Sequence, residues 1–157
     1  MANFTTTGSD TFPAGHVITY YQDSTTSETN VSTSGYTSVS NMDGTITPKY
    51  SGSKIVIMMH CGSMIQGGHA SLYAKITGTT TGTVSEQTRY GYHDDTAWHA
   101  LPIAITTFDT TSNTNAQTYQ LQMKSQNQPG TSNYWRVNSY ESSNTKGGTV
   151  ILMEIKQ

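Results

Sequence analysis

Two short runs, Lys54-Ile55-Val56-Ile57-Met58-Met59-His60-Cys61 and Thr149-Val150-Ile151-Leu152-Met153-Glu154-Ile155, are apolar at successive positions. The rest of the chain is dominated by Thr, Ser, Gly, Asn and Gln. A strand sends alternate side chains to opposite faces, so a run that is apolar throughout has two faces to bury. One face then packs inside the domain, and the other packs against a further layer or a second copy of the chain. The pattern predicts an all-β sandwich that oligomerises. Ile55, Val56, Ile57, Met58, Met59, Val150, Ile151, Leu152 and Met153 form its core and subunit interface.

A chain of 157 residues has room for one domain, which buries about 70% of the surface its unfolded form exposes. Charged residues make up 11% of it and the net charge is −2, with the eight basic residues scattered singly. No cluster is present to track a phosphate backbone or an anionic lipid surface, so nucleic acid and membrane are excluded as expected partners. Ten Tyr, seven Met and two Trp, set in strand-like patterns, separate the chain from polar disordered sequences. The single Cys61 lies inside one of the apolar runs, where it reads as a small hydrophobe in a protein made in a reducing compartment. The first residues lack the basic and apolar regions of a signal peptide, and no apolar run approaches membrane-spanning length.

Residues 1–14 read as an extended arm anchored by Phe4 and Phe12, and residues 15–157 as the sandwich domain. The expected strands begin at 16–21, followed by a Ser/Thr-rich loop over 22–34, a weak strand near 36–39 and a turn at Asn41-Met42-Asp43-Gly44. Over 69–77, Ala70, Leu72, Ala74 and Ile76 alternate with Ser71, Tyr73, Lys75 and Thr77, the signature of a strand with one face in a core. Tyr119, Leu121 and Met123 alternate with Gln120, Gln122 and Lys124 in the same way. Further strands are expected at 87–92, around Leu101, Ile103 and Ile105, and at 134–137. About eight to ten strands with turn chemistry between them, and no helical period, fit a jelly roll or related sandwich.

Few residues suggest chemistry. His93-Asp94-Asp95-Thr96-Ala97-Trp98-His99 mixes imidazoles with carboxylates, yet its spacing matches no familiar metal site and it reads as a solvated loop. A metal-dependent enzyme centred on His93, Asp95 and His99 is the alternative it leaves. His60 and His69 lie on or beside strands and read as hydrogen-bonded interface histidines. No Gly-x-Ser-x-Gly elbow accompanies the many Ser, His and Asp residues, so no catalytic residue, cofactor or metal is assigned. Tyr134, Trp135 and Arg136 offer aromatic faces beside polar groups, a pattern able to stack on sugar rings. The competing expectation points Trp135 and Val137 into the core.

Three segments resemble a known family. Pro13-Ala14-Gly15-His16-Val17-Ile18, Ile46-Thr47-Pro48-Lys49-Tyr50-Ser51-Gly52-Ser53-Lys54-Ile55-Val56-Ile57-Met58 and Thr149-Val150-Ile151-Leu152-Met153-Glu154-Ile155 are similar to the P-x-G-x-V-I, I-T-P-x-x-x-x-S-K-I-L-V and I-T-L-M-E-I elements of small virion structural domains. Those domains are encoded by tailed bacteriophages, many of which infect cyanobacteria. Residues 109–125, an aspartate-led loop running into a strand, resemble the same family. The resemblance implies a homotrimeric jelly roll, similar to the tumour-necrosis-factor and complement-head folds, displayed on the virion surface after synthesis in the host cytoplasm. It also implies no catalytic residues. Such domains occur as standalone capsid decorations and as tips of fibres. The sequence therefore predicts a decoration or cement protein whose partners are further copies of itself and the major capsid protein. The alternative is a receptor-binding tail or head fibre tip that recognises host surface glycan.

Overall fold

A computed structural model describes residues 14–66, 70–93, 98–127, 135–138 and 147–157. The elements are β1 (Val17–Thr25), β2 (Thr29–Val31), β3 (Thr37–Ile46), β4 (Lys54–Gln66), β5 (Ala70–Gly78), β6 (Gly82–His93), β7 (Trp98–Thr110), β8 (Gln117–Asn127), β9 (Trp135–Val137) and β10 (Gly148–Ile155). They form two antiparallel sheets. One runs β1-β10-β4-β9-β2 with β7 on the other edge of β4, and the second runs β3-β8-β5-β6.

Without the short β2 and β9, four strands in the order β1-β10-β4-β7 face four in the order β3-β8-β5-β6. Among these eight strands the chain passes between sheets at every connection except that from β5 to β6. This winding is that of a jelly roll. The β4 strand is the axis of the larger sheet. Its full length pairs with β7, while its other edge is taken by β10 along Lys54–His60 and then by β9 at Ser63, Met64 and Ile65.

The core follows the alternation of the strands. From the larger sheet, Ile55, Ile57, Met59, Cys61, Ile103, Ile105, Val150 and Leu152 point inward. They meet Leu72, Ala74, Ile76, Tyr119, Leu121 and Met123 from the smaller one, with Val39, Met42 and Ile46 from β3. Leu72, Ala74 and Ile76 of the one expected one-sided strand, and Tyr119, Leu121 and Met123 of the other, lie in this core.

Several boundaries differ from the sequence expectation. The first strand continues to Thr25 and is followed by β2, where a single loop over 22–34 is expected, because β10 and β9 supply pairing partners to polar residues. The turn expected at Asn41–Gly44 is the middle of a continuous β3. The register with β8 shifts between Ser38 and Asp43, Asn41 takes φ 53°, and Met42 is fully buried, the geometry of a β-bulge. Gly44 belongs there by necessity, since a Cβ on it would lie 2.5 Å from Cε1 of Tyr21. Both ends of the loop expected over 93–99 are strand, with His93 ending β6 and Trp98 opening β7, and residues 94–97 lie outside the described residues. The arm residues Phe4 and Phe12 lie outside the described residues.

Candidate functional site

The outer face of the larger sheet gathers side chains from four strands that are distant in sequence. Antiparallel register places Tyr20 of β1 opposite Met153 of β10, Met153 opposite Val56 of β4, and Val56 opposite Phe108 of β7. One apolar row therefore crosses the sheet. The next row is Gln22, Ile151, Met58 and Thr106, and on the other side Val17 pairs with Ile155. Val17, Tyr20, Met58 and Phe108 are 50%, 54%, 37% and 57% exposed, unusual values for four large apolar side chains on one face.

Polar groups frame these rows. Lys54 lays its ammonium 4.3 Å from the centroid of the Phe108 ring, and the Tyr20 hydroxyl is held by Gln22. Farther along β4, the exposed His60 sits opposite Thr149 and Ala104, so the face turns polar within two residues of Met58.

The end of the core beneath these rows is closed by two carboxylates, both facing inward. Glu154 is fully buried. Its Oε1 accepts the backbone N–H groups of Lys49 at 2.9 Å and Tyr50 at 3.1 Å, and its Oε2 accepts Lys49 N–H and the Thr19 hydroxyl, each at 3.0 Å. Asp109 accepts the Tyr119 hydroxyl at 3.0 Å and the Thr81 hydroxyl at 2.9 Å. Burial, followed by the neighbouring Asp109, raises the Tyr119 phenol above its ordinary range. Burial alone pushes the Cys61 thiol up to about 12, so it is a packing residue and not a nucleophile.

The residues singled out from the sequence separate cleanly in space. Ile55, Ile57, Met59, Val150 and Leu152 belong to the core, while Val56, Met58, Ile151 and Met153 belong to the outer face. Trp135 is 0% exposed, packed with Val137 inside the sandwich, so its ring offers no face to a sugar and the expected glycan contact at that residue is corrected. Arg136 is half-buried on β9, and Tyr134 lies outside the described residues. His93 and His99 fall on β6 and β7, whereas His69, Asp94 and Asp95 lie outside the described residues. Among the described residues, no three His, Cys, Asp or Glu side chains converge to hold a metal ion.

Val17, Tyr20 and Phe108 were not legible as members of the outer face. Each sits in a strand of mixed polarity, and only the pairing register aligns them with Val56 and Met153. No protein-family model matches the sequence, and no curated protein matches it. Among solved structures, a chain in the structure of infectious bursal disease virus, Gx strain, is similar with a TM-score of 0.42 and 11% identity. The match covers 98% of this chain and 42% of that one, so this chain spans less than half of the viral chain's length. A likeness at that level assigns no role to any residue here.

Proposed function

We propose that this chain is a virion structural protein, a homotrimeric capsid decoration that assembles through the outer face of the larger sheet. The observation that carries the reading is the apolar row Tyr20, Met153, Val56 and Phe108, aligned by register on four neighbouring strands. A second copy of the chain covering this face removes it from water, at about 25 cal/mol for each Å² of apolar surface. The resemblance of residues 13–18, 46–58 and 149–155 to phage virion domains supplies the setting. In this role the protein acts mechanically, adding buried area across neighbouring capsid subunits against the outward pressure of packaged DNA. Residues 1–12, with Phe4 and Phe12, are assigned to attachment.

The test separates the two faces that the apolar runs present. Val56→Asp places a carboxylate on the outer face, where a monomer hydrates it and an assembled interface does not. Light scattering at micromolar concentration is expected to show a trimer for the wild type and a folded monomer for Val56→Asp. Leu152→Asp buries the charge in the core and is expected to unfold the chain. A wild-type monomer refutes the assembly. Equal binding of the wild type and a variant lacking residues 1–12 to purified capsids refutes the attachment role. The alternative of a fibre tip reading glycan through Tyr134, Trp135 and Arg136 loses its central ring, because Trp135 is buried.

A further inference from the structure

The opposite side of the molecule carries a different kind of face. Tyr36, one residue ahead of β3, donates its hydroxyl to Oε1 of Glu86 on β6 at 2.7 Å. Between those two strands lie β8 and β5. Neighbouring strands are about 4.8 Å apart, so the link crosses about 14 Å of sheet, a span that Tyr36 and Glu86 bridge only when both lie along the surface. The Tyr36 ring is therefore laid across the sheet and fixed at both ends.

The lysines beneath this link complete the cluster. Lys75 on β5 and Lys124 on β8 hold their ammonium groups 4.4 Å and 4.5 Å from the Tyr36 ring centroid, and Lys124 also lies 5.0 Å from that of Tyr73. Tyr73 is opposite Lys124 across the β5 and β8 pair, and Glu86 is opposite Lys75 across the β5 and β6 pair. One row thus reads Lys124 and Tyr73, and the next reads Gln122, Lys75 and Glu86. Two ammonium groups meet one carboxylate, a local positive excess in a chain whose net charge is −2.

We propose that this face binds an acidic polysaccharide, taking pyranose rings that carry a carboxylate. The C–H face of such a ring stacks on a tyrosine ring, which is apolar in its plane and already immobilised by the Glu86 bond. The sugar carboxylate meets the ammonium of Lys75 or Lys124, each with three N–H donors, of which contact with a ring face consumes few. Gln122, opposite Lys75, supplies an amide for the sugar hydroxyls. A neutral sugar would leave the two ammonium groups with the single Glu86 carboxylate between them, so the face selects acidic glycan over neutral glycan.

This face lies on the sheet opposite the assembly face, so the two readings fail independently. The probe is a hexamer of galacturonic acid, titrated calorimetrically into the full chain, with maltohexaose as the neutral comparison. Saturable binding of the acidic hexamer alone is expected, and the Val56→Asp variant should retain it. Tyr36→Leu should weaken binding about tenfold or more, and Lys75→Gln or Lys124→Gln about three- to tenfold each, while Lys49→Gln on another surface changes nothing. The lysine variants alter half-buried side chains outside the core and carry the test should Tyr36→Leu fail to fold. No binding at millimolar probe, equal binding of maltohexaose, or equal loss on Lys49→Gln overturns the proposal.

Discussion

Replacing Glu154 gives the sharpest test of how the sandwich end is built. Glu154→Ala removes the acceptor for the Lys49 and Tyr50 backbone N–H groups and for the Thr19 hydroxyl. A buried donor left unsatisfied costs about 1–3 kcal/mol. The two amides belong to exposed residues and partly rehydrate, and the Thr19 hydroxyl rotates toward solvent, which brings the total to about 3 kcal/mol. For a chain of this size that is a fall in Tm of about 6–12 °C. Glu154→Gln keeps the volume and one oxygen able to accept both amides, and its NH₂ group can donate to the Thr19 oxygen. It loses only charge assistance, a cost of about 1 kcal/mol or 2–4 °C. Thermal unfolding followed by circular dichroism measures the order wild type, Gln, Ala. Hydrogen exchange should show protection lost at the Lys49 and Tyr50 amides in the Ala variant. An Ala variant within about 0.5 kcal/mol of wild type refutes the account. A Gln variant as damaged as Ala shows that charge, and not acceptor geometry, carries the effect.

Three further outcomes are expected. Gly44→Ala puts a Cβ 2.5 Å from Cε1 of Tyr21 and 3.1 Å from Cδ1 of Leu152, costing about 1–3 kcal/mol in urea denaturation, and the cost should shrink in a Tyr21→Ala background. Cys61 is fully buried with its thiol pushed up to about 12, so a thiol reagent at mildly alkaline pH should label the native protein only at the rate of unfolding and the denatured protein at once. The Tyr36 phenol is pushed up to about 12 by burial and then by its bond to Glu86. The folded state therefore holds that proton more tightly than the unfolded state, whose phenol titrates near ~10. Stability from this group is intact below that pH and is lost as pH rises toward 12, and Tyr36→Phe should flatten this part of the profile.

Strands with an unbroken period of two were legible from sequence, because Leu72, Ala74 and Ile76, or Tyr119, Leu121 and Met123, have nowhere to go but one core. The run from Ile55 to Met59 was legible as a strand with two apolar faces. What covers its second face was not, since Tyr20 and Phe108 join Val56 only through pairing with chain segments far away. Local chemistry misled at Asn41–Gly44, where turn-forming residues serve a bulge inside β3 and Met42 enters the core. Glu154 was hidden for a different reason. In a run reading Ile-Leu-Met-Glu-Ile it looks like a solvent-facing interruption, and its burial is explained by donors far earlier in the chain, the Lys49 and Tyr50 amides and the Thr19 hydroxyl. The Tyr36 cluster was half visible, as the polar sides of β5 and β8, without the residue that spans them.

The place of β10 in the larger sheet sets a timetable for folding. This strand is not an edge: it sits between β1 and β4, and hydrogen bonds join Gly15 to Lys156 and Lys156 to His16, at opposite ends of the described chain. Until β10 docks, β1 has no partner in the sheet and β4 keeps one edge open along Lys54–His60. A folding chain must keep that half-built sandwich apart from its neighbours until this strand is in place. Pairings this distant in sequence close slowly, on the scale of milliseconds to seconds for sandwiches, and expose strand edges meanwhile. A chain that is sparing in apolar residues outside β4 and β10 survives that interval more safely, which gives the Thr- and Ser-rich composition a role before the native state exists.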